Sequence, residues 1–198
     1  MHRRITHCPS FCSALIAAAI VLCMLLFFGC AKKEEVRHPP KNPTLADISN
    51  LRYASEFSDS GAVTLHEGVF RSDTVPGAES IVEIILTNYT TFGELHPGYP
   101  AAAAVLVTTT GGSGVFYTLA VAADSGGVIM NIASEPLGDR IKIDSLSIRD
   151  YQIHLAMVEH GPGDPLCCPT QKVMKIFILS GKQLLESPPY TLSIRLFE

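Results

Sequence analysis

Between Val63 and Phe197 the chain falls into short runs in which apolar and polar residues alternate, separated by breaks of a few residues rich in Gly, Asp and Ser. Alternation with a period of two is the signature of a half-buried strand. The runs are Val63 to Arg71, Ser80 to Thr87, Ala102 to Thr109, Val115 to Ala123, Val128 to Ser134, Arg140 to Ile148, Gln152 to Glu159, Lys172 to Leu179 and Tyr190 to Phe197. The breaks at Gly111–Gly114, Asp124–Gly127, Arg149–Tyr151 and Ser180–Lys182 are too short for the crossover helices a parallel sheet requires, so neighbouring runs should pair antiparallel. Ile141, Ile143, Leu146 and Ile148 can share one face if the register slips at Asp144–Ser145, and Ile153, Leu155 and Met157 supply the inner face of the next run. A single helix is expected over Leu45 to about Ala54, from the spacing of Leu45, Ile48 and Leu51 behind a Thr44 cap. The expected fold is mainly β: one domain built on a curled antiparallel sheet, an open barrel or a sandwich, with one short N-terminal helix.

The N-terminus stands apart from this pattern. Ser13 to Phe28 carries no charge, Arg3 and Arg4 precede it, and Gly29–Cys30 follow it. This layout resembles a bacterial lipoprotein signal, in which the peptide is cut before a cysteine whose thiol takes up lipid. The resemblance implies a signal peptide over residues 1–29 and lipid on Cys30. Phe27 stands where such signals usually carry leucine. The competing reading is an uncleaved membrane anchor, because Phe11 to Ala31 just reaches the ~20 residues a bilayer crossing needs. The run ends at Gly–Cys and not at a basic cluster, which favours lipidation. Either reading places the remaining chain outside the cytoplasm. In a cell with two membranes, Ala31 after the cysteine implies sorting to the outer membrane, facing the periplasm. Ala31 to Pro43, with three prolines and Val36 as its one apolar side chain larger than alanine, reads as a flexible tether. Residues 44–198 are left as the domain.

Charge and cysteine content narrow the partners. Losing Arg3 and Arg4 with the leader takes the 15 basic residues to 13, against 19 acidic ones. With no basic stripe, nucleic acid is not an expected partner. Cys8, Cys12 and Cys23 would leave with the signal and Cys30 would carry lipid. Only Cys167 and Cys168 then remain to the folded domain. In an oxidising compartment they must stay free, join each other, bind metal or pair between molecules.

These two thiols lie in the one stretch that looks chemical, His160 to Gln171, which reads His-Gly-Pro-Gly-Asp-Pro-Leu-Cys-Cys-Pro-Thr-Gln. Neighbouring Cα atoms sit about 3.8 Å apart, below the roughly 4.4–6.8 Å that a disulfide usually spans, so a bond between them closes a strained and reducible ring. A vicinal Cys167–Cys168 disulfide could be a clasp for the loop or a redox-responsive switch, and two buried thiols are the plain alternative. His160, Asp164, Cys167 and Cys168 are candidate metal ligands, with His154 as a further donor. Zinc sites, however, usually place two to four residues between cysteines. His154 alternates with Ile153 and Leu155 and is better read as facing solvent or a polar groove on the strand. Asp164, His160 and Cys167 could be drawn as a triad, yet all three share one short loop, and no Gly-x-Ser-x-Gly occurs. Gly111–Gly114 lacks the lysine and following helix of a phosphate cradle and reads as a hairpin turn. Asp139–Arg140 reads as a structural pair at a turn.

Three segments, Gly111 to Phe116, Leu137 to Ile148 and Gly161 to Gln171, resemble an uncharacterised group of bacterial envelope lipoproteins and secreted proteins. The likeness spans about Leu45 to Glu186 and implies no activity. Where relatives often carry a carboxylate-rich stretch similar to a calcium loop, this chain has Gly93 to Val105, and Glu94 alone cannot supply the several oxygens a hard cation needs. Asp150–Tyr151 stands where relatives tend to have Asp-Gly, which removes the residue that takes positive φ most easily.

The expectation is therefore a lipid-anchored, non-catalytic envelope protein that binds an envelope protein or glycan, with no cofactor. The alternative is a redox- or metal-responsive role centred on Cys167 and Cys168.

Overall fold

The computed structural model describes residues 39–72 and 81–188. The signal, Cys30, the tether before Pro39 and the run Tyr190 to Phe197 lie outside the described residues.

The described chain is mainly β, and every pairing between its strands is antiparallel. It begins with the helix α1 (Leu45–Ser49). Eleven strands follow: β1 (Arg52–Ala54), β2 (Ala62–Thr64), β3 (Val69–Arg71), β4 (Glu83–His96), β5 (Tyr99–Thr109), β6 (Val115–Asp124), β7 (Ile129–Asp139), β8 (Lys142–Arg149), β9 (Gln152–Glu159), β10 (Gln171–Ser180) and β11 (Gln183–Ser187). They form a five-stranded sheet in the order β3-β4-β5-β6-β7, a four-stranded sheet in the order β11-β10-β9-β8, and the hairpin β1-β2. The five-stranded sheet curls. Register shifts between Leu86 and Thr90 in β4, and at Tyr117/Thr118 and Val121/Ala122 in β6, put bulges in its strands, and bulges bend and twist a sheet.

The molecule has three layers, with the five-stranded sheet in the middle. On β5, the odd positions Ala101, Ala103 and Val105 join Ile153, Leu155, Met157 and Phe177 of the four-stranded sheet in one buried cluster. The even positions Ala102, Ala104 and Leu106 face the other way, toward Ile48, Tyr53, Val63 and Leu65 of α1 and the first hairpin. A strand covered on both faces reads as an unbroken apolar run, which accounts for Ala101–Ala102–Ala103–Ala104–Val105–Leu106. Gly93 lets β4 close against the second sheet, since a Cβ there would lie 2.7 Å from Ile148 Cγ2.

The helix is shorter than its spacing predicts. Thr44 and Asp47 form a capping box, with the Asp47 amide donating to Thr44 Oγ1 at 3.1 Å and the Thr44 amide to Asp47 Oδ2 at 2.9 Å. Asn50 then ends the helix, and Arg52–Ala54 pairs with β2. Burying Tyr53 in the strand, with its hydroxyl donating to the Ile48 carbonyl at 2.8 Å, outweighs continuing an amphipathic turn in which Leu45 stays 59% exposed. That burial also pushes the Tyr53 phenol up from its ordinary value. The domain begins slightly before Thr44: Pro43 is buried, and the Lys41 amide donates to Asp124 Oδ2 at 2.9 Å.

Strand registers determine which loops share an end. Asp124 pairs with Ile129 at the β6-β7 turn, so Lys41 is held at that end of the central sheet. The β8-β9 turn lies there too, because Ile148 packs on Gly93, which pairs with Ala101 near the start of β5. At the opposite end Val115 opens β6, and the Arg140 amide donates to its carbonyl. Two residues on, Lys142 pairs with Val158, beside the Glu159–Gln171 pair from which the loop 160–170 springs. The cysteine loop and Lys41, near the start of the described residues, thus lie at opposite ends of the domain.

Candidate functional site

The loop between β9 and β10 is built around one carboxylate. Asp164 Oδ2 accepts from the Gly161 amide at 2.8 Å and from the Thr170 amide at 2.8 Å, while Oδ1 accepts from the Thr170 hydroxyl at 2.9 Å. Three donors from the two ends of the loop thereby converge on a single side chain. The Asp164 amide returns a bond to the Gly161 carbonyl, and the Cys168 amide donates to the Pro165 carbonyl at 3.0 Å. Gly163 takes φ +88°, a conformation that side-chain-bearing residues resist. Hydrogen bonding from Gly161, then from Thr170, holds the Asp164 carboxyl below its ordinary value. At the base, the Lys175 ammonium lies 3.0 Å from Glu159 and 3.8 Å from Glu186, tying the strands that carry the loop.

Cys167 and Cys168 are joined in a vicinal disulfide and both are exposed, beside Leu166 at 73% exposure. The sequence allowed the bond to be a clasp. In the structure the closing of the loop is accomplished by Asp164 and by the β9-β10 ladder, while the disulfide joins residues already neighbours.

The candidate ligands do not assemble into a metal centre. Among the described residues no group of three or more His, Cys, Asp or Glu side chains is placed to hold one ion. Asp164 already accepts three hydrogen bonds from its own loop. His160 turns Nδ1 into the protein, where it has no hydrogen-bond partner among the described residues. His154 lies on the β9 face away from the core, as its alternation predicts, but it is half-buried and its Nε2 is enclosed. Burial, reinforced by the Arg149 charge, holds its imidazole below the ordinary value.

Asp139 and Arg140 form the corner where the chain passes from one sheet to the other. Asp139 Oδ1 accepts from the Val115 amide at 2.8 Å, and Arg140 Nε donates to Oδ2 at 2.8 Å. Burial works to raise the Asp139 carboxyl, and the bonds from Arg140 and Val115 outweigh it, leaving the group below its ordinary value. Gly138 at φ +124° allows the turn. This pair is structural. At the β8-β9 turn, Asp150 and Tyr151 both take positive φ, 51° and 60°, so the turn forms without glycine.

One feature escaped the sequence. A cleft of about 180 Å³ opens at the loop end of the central sheet, over Thr108, Thr118 and Ser134, with Tyr53 and Phe57 in its wall. Phe57 stacks on Phe116 with ring centroids 5.0 Å apart. Reading Leu51–Ala54 as helix hid the wall. The alternation of Arg52, Tyr53 and Ala54 ahead of the Ser-rich stretch Ser55–Gly61, which ends in glycine, was the signal for a hairpin.

No protein-family model, no curated protein and no solved structure matches this chain.

Proposed function

We propose that this chain is a lipid-anchored, non-catalytic binding protein of the cell envelope, attached through Cys30, which meets an envelope protein or glycan with the end that carries the loop 161–171. In a cell with two membranes its place is the outer membrane, facing the periplasm. The observation that supports this reading is the division of labour in the loop. Asp164 holds the backbone from inside, and the side chains left outward include Leu166 and the disulfide, at the end opposite Lys41. A preorganised exposed apolar tip is what a contact surface needs, because little entropy remains to be lost on binding. The likeness to envelope lipoproteins accords with an anchored module.

The test places a photo-crosslinking residue at Leu166, and in a second strain at Val128 beside the β6-β7 turn, in the full-length protein in cells. A defined adduct at Leu166, lost in Asp164→Ala, is the expected result, and co-sedimentation with purified sacculi distinguishes glycan from protein. Adducts from Val128 alone, with no sedimentation, would overturn the reading. Cys30→Ser should release the protein from the membrane fraction; retention there would overturn the anchor.

A further inference from the structure

We infer that Cys167–Cys168 is a thiol–disulfide exchange site, reduced reversibly by a dithiol while the loop that displays it keeps its shape. This goes beyond the binding reading and does not need it.

Three observations meet here. Both cysteines are exposed at the tip, where an incoming thiolate can reach either sulfur. The bond closes no length of chain, so breaking it releases almost no backbone freedom, unlike a disulfide that spans a long loop. The contacts that shape the loop are separate from the sulfurs: Asp164 to Gly161 and Thr170, and Glu159 paired with Gln171. A buried staple would lose its fold with its bond. This one hands two thiols, still side by side, back to the same scaffold, ready to re-form the bond.

The exchange balances without any group the protein lacks except the dithiol itself. One thiolate of the dithiol attacks a cysteine sulfur, the Cys167–Cys168 bond breaks, and the other cysteine leaves as a thiolate that takes a proton from water. The second thiol of the reagent then displaces the first cysteine. The products are a cyclic disulfide of the reagent and two protein thiols, with two electrons passed from reagent to protein. An oxidised dithiol or glutathione disulfide reverses the sequence.

Dithiothreitol serves as the probe, on the full-length protein in detergent micelles, without denaturant. After alkylation and digestion, the peptide ending at Lys172 should carry two alkyl groups following dithiothreitol and none before it. Hydrogen exchange at the Gly161 and Thr170 amides should be unchanged by reduction, and glutathione disulfide should return the peptide to the unalkylated form. In Asp164→Ala those amides should lose protection while the pair remains reducible, which separates the scaffold from the sulfurs. Two alkyl groups before reduction, resistance to dithiothreitol until denaturant is added, or loss of Thr170 protection on reduction would each overturn the inference. Crosslinking at Leu166 reads the binding proposal separately, so failure of one leaves the other standing.

Discussion

The strand β5 and the loop 160–170 are both central to this molecule, and they are determined in opposite ways. Ala101 to Leu106 is enclosed on both faces, with each side chain at most 3% exposed, so what matters there is the volume of every residue. In the loop Pro165 to Cys168 are all exposed, and the shape rests on the hydrogen bonds of one aspartate. In the first region many weak contacts make each side chain hard to replace. In the second a few directional bonds leave the displayed side chains free to serve a ligand or a reagent.

The contrast is broken most severely from the layer that β5 packs against. Phe177, 2% exposed, fills the space between the sheets, and Phe177→Ala should cost about 3–5 kcal/mol through lost burial and the cavity left behind. Urea unfolding of the protein reads this directly; a cost below about 1 kcal/mol would show that the interior is not close-packed. Enlarging a small side chain tests the same point from the other direction. Ala103 is fully buried in the central strand, and Ala103→Leu should destabilise by about 1–3 kcal/mol because neither covering layer has room to give. The same unfolding curve would reveal slack between the layers if that variant were neutral.

What the sequence disclosed and what it hid follow the same division. Alternation and turn residues marked β9 to the residue, the four short turns, and the slip at Asp144–Ser145, which is the register shift between Ile143 and Ser145. The strand β4 runs on from Thr87 to His96 unannounced, because its bulge between Leu86 and Thr90 breaks the period that alternation relies on. The third layer was hidden because α1 and β1 share one apolar stretch, and only tertiary burial of Tyr53 decides where the helix stops. Within the loop, composition revealed which residues could do chemistry but not that Asp164 would be occupied by its own backbone. Hydrogen-bond geometry of that kind has no periodic trace.

Acid should loosen the loop while the core stays intact. The Asp164 carboxyl sits below its ordinary value of 3.8 in the native loop, so the contribution of its charge is present above that value and is lost as pH falls through the lowered one. Exchange of the Gly161 and Thr170 amides should therefore rise in that acid range while Leu155 and Val121 amides stay protected. Asp164→Asn should show the loosened loop already at neutral pH, and protection in that variant equal to the native protein would remove the carboxylate from its role. Asp47 provides an internal comparison. Its carboxyl is lowered to about 2 by Lys41 and Thr44, so the cap of α1 should persist to lower pH than an unpartnered carboxylate would allow.

The smallest expected effect is the most informative one. Replacing both Cys167 and Cys168 by serine should change global stability by less than about 0.5 kcal/mol, because the bond constrains neighbours already joined by a peptide and the side chains are exposed. A disulfide removed from a small secreted domain typically costs about 2–5 kcal/mol, so the two outcomes are well separated in a urea titration. A large loss would make the pair a structural clasp and put the loop in the same class as β5, its form dictated by stability. A negligible loss leaves stability with no use for the pair, so that whatever keeps two cysteines at an exposed tip must lie in what those sulfurs touch or exchange with.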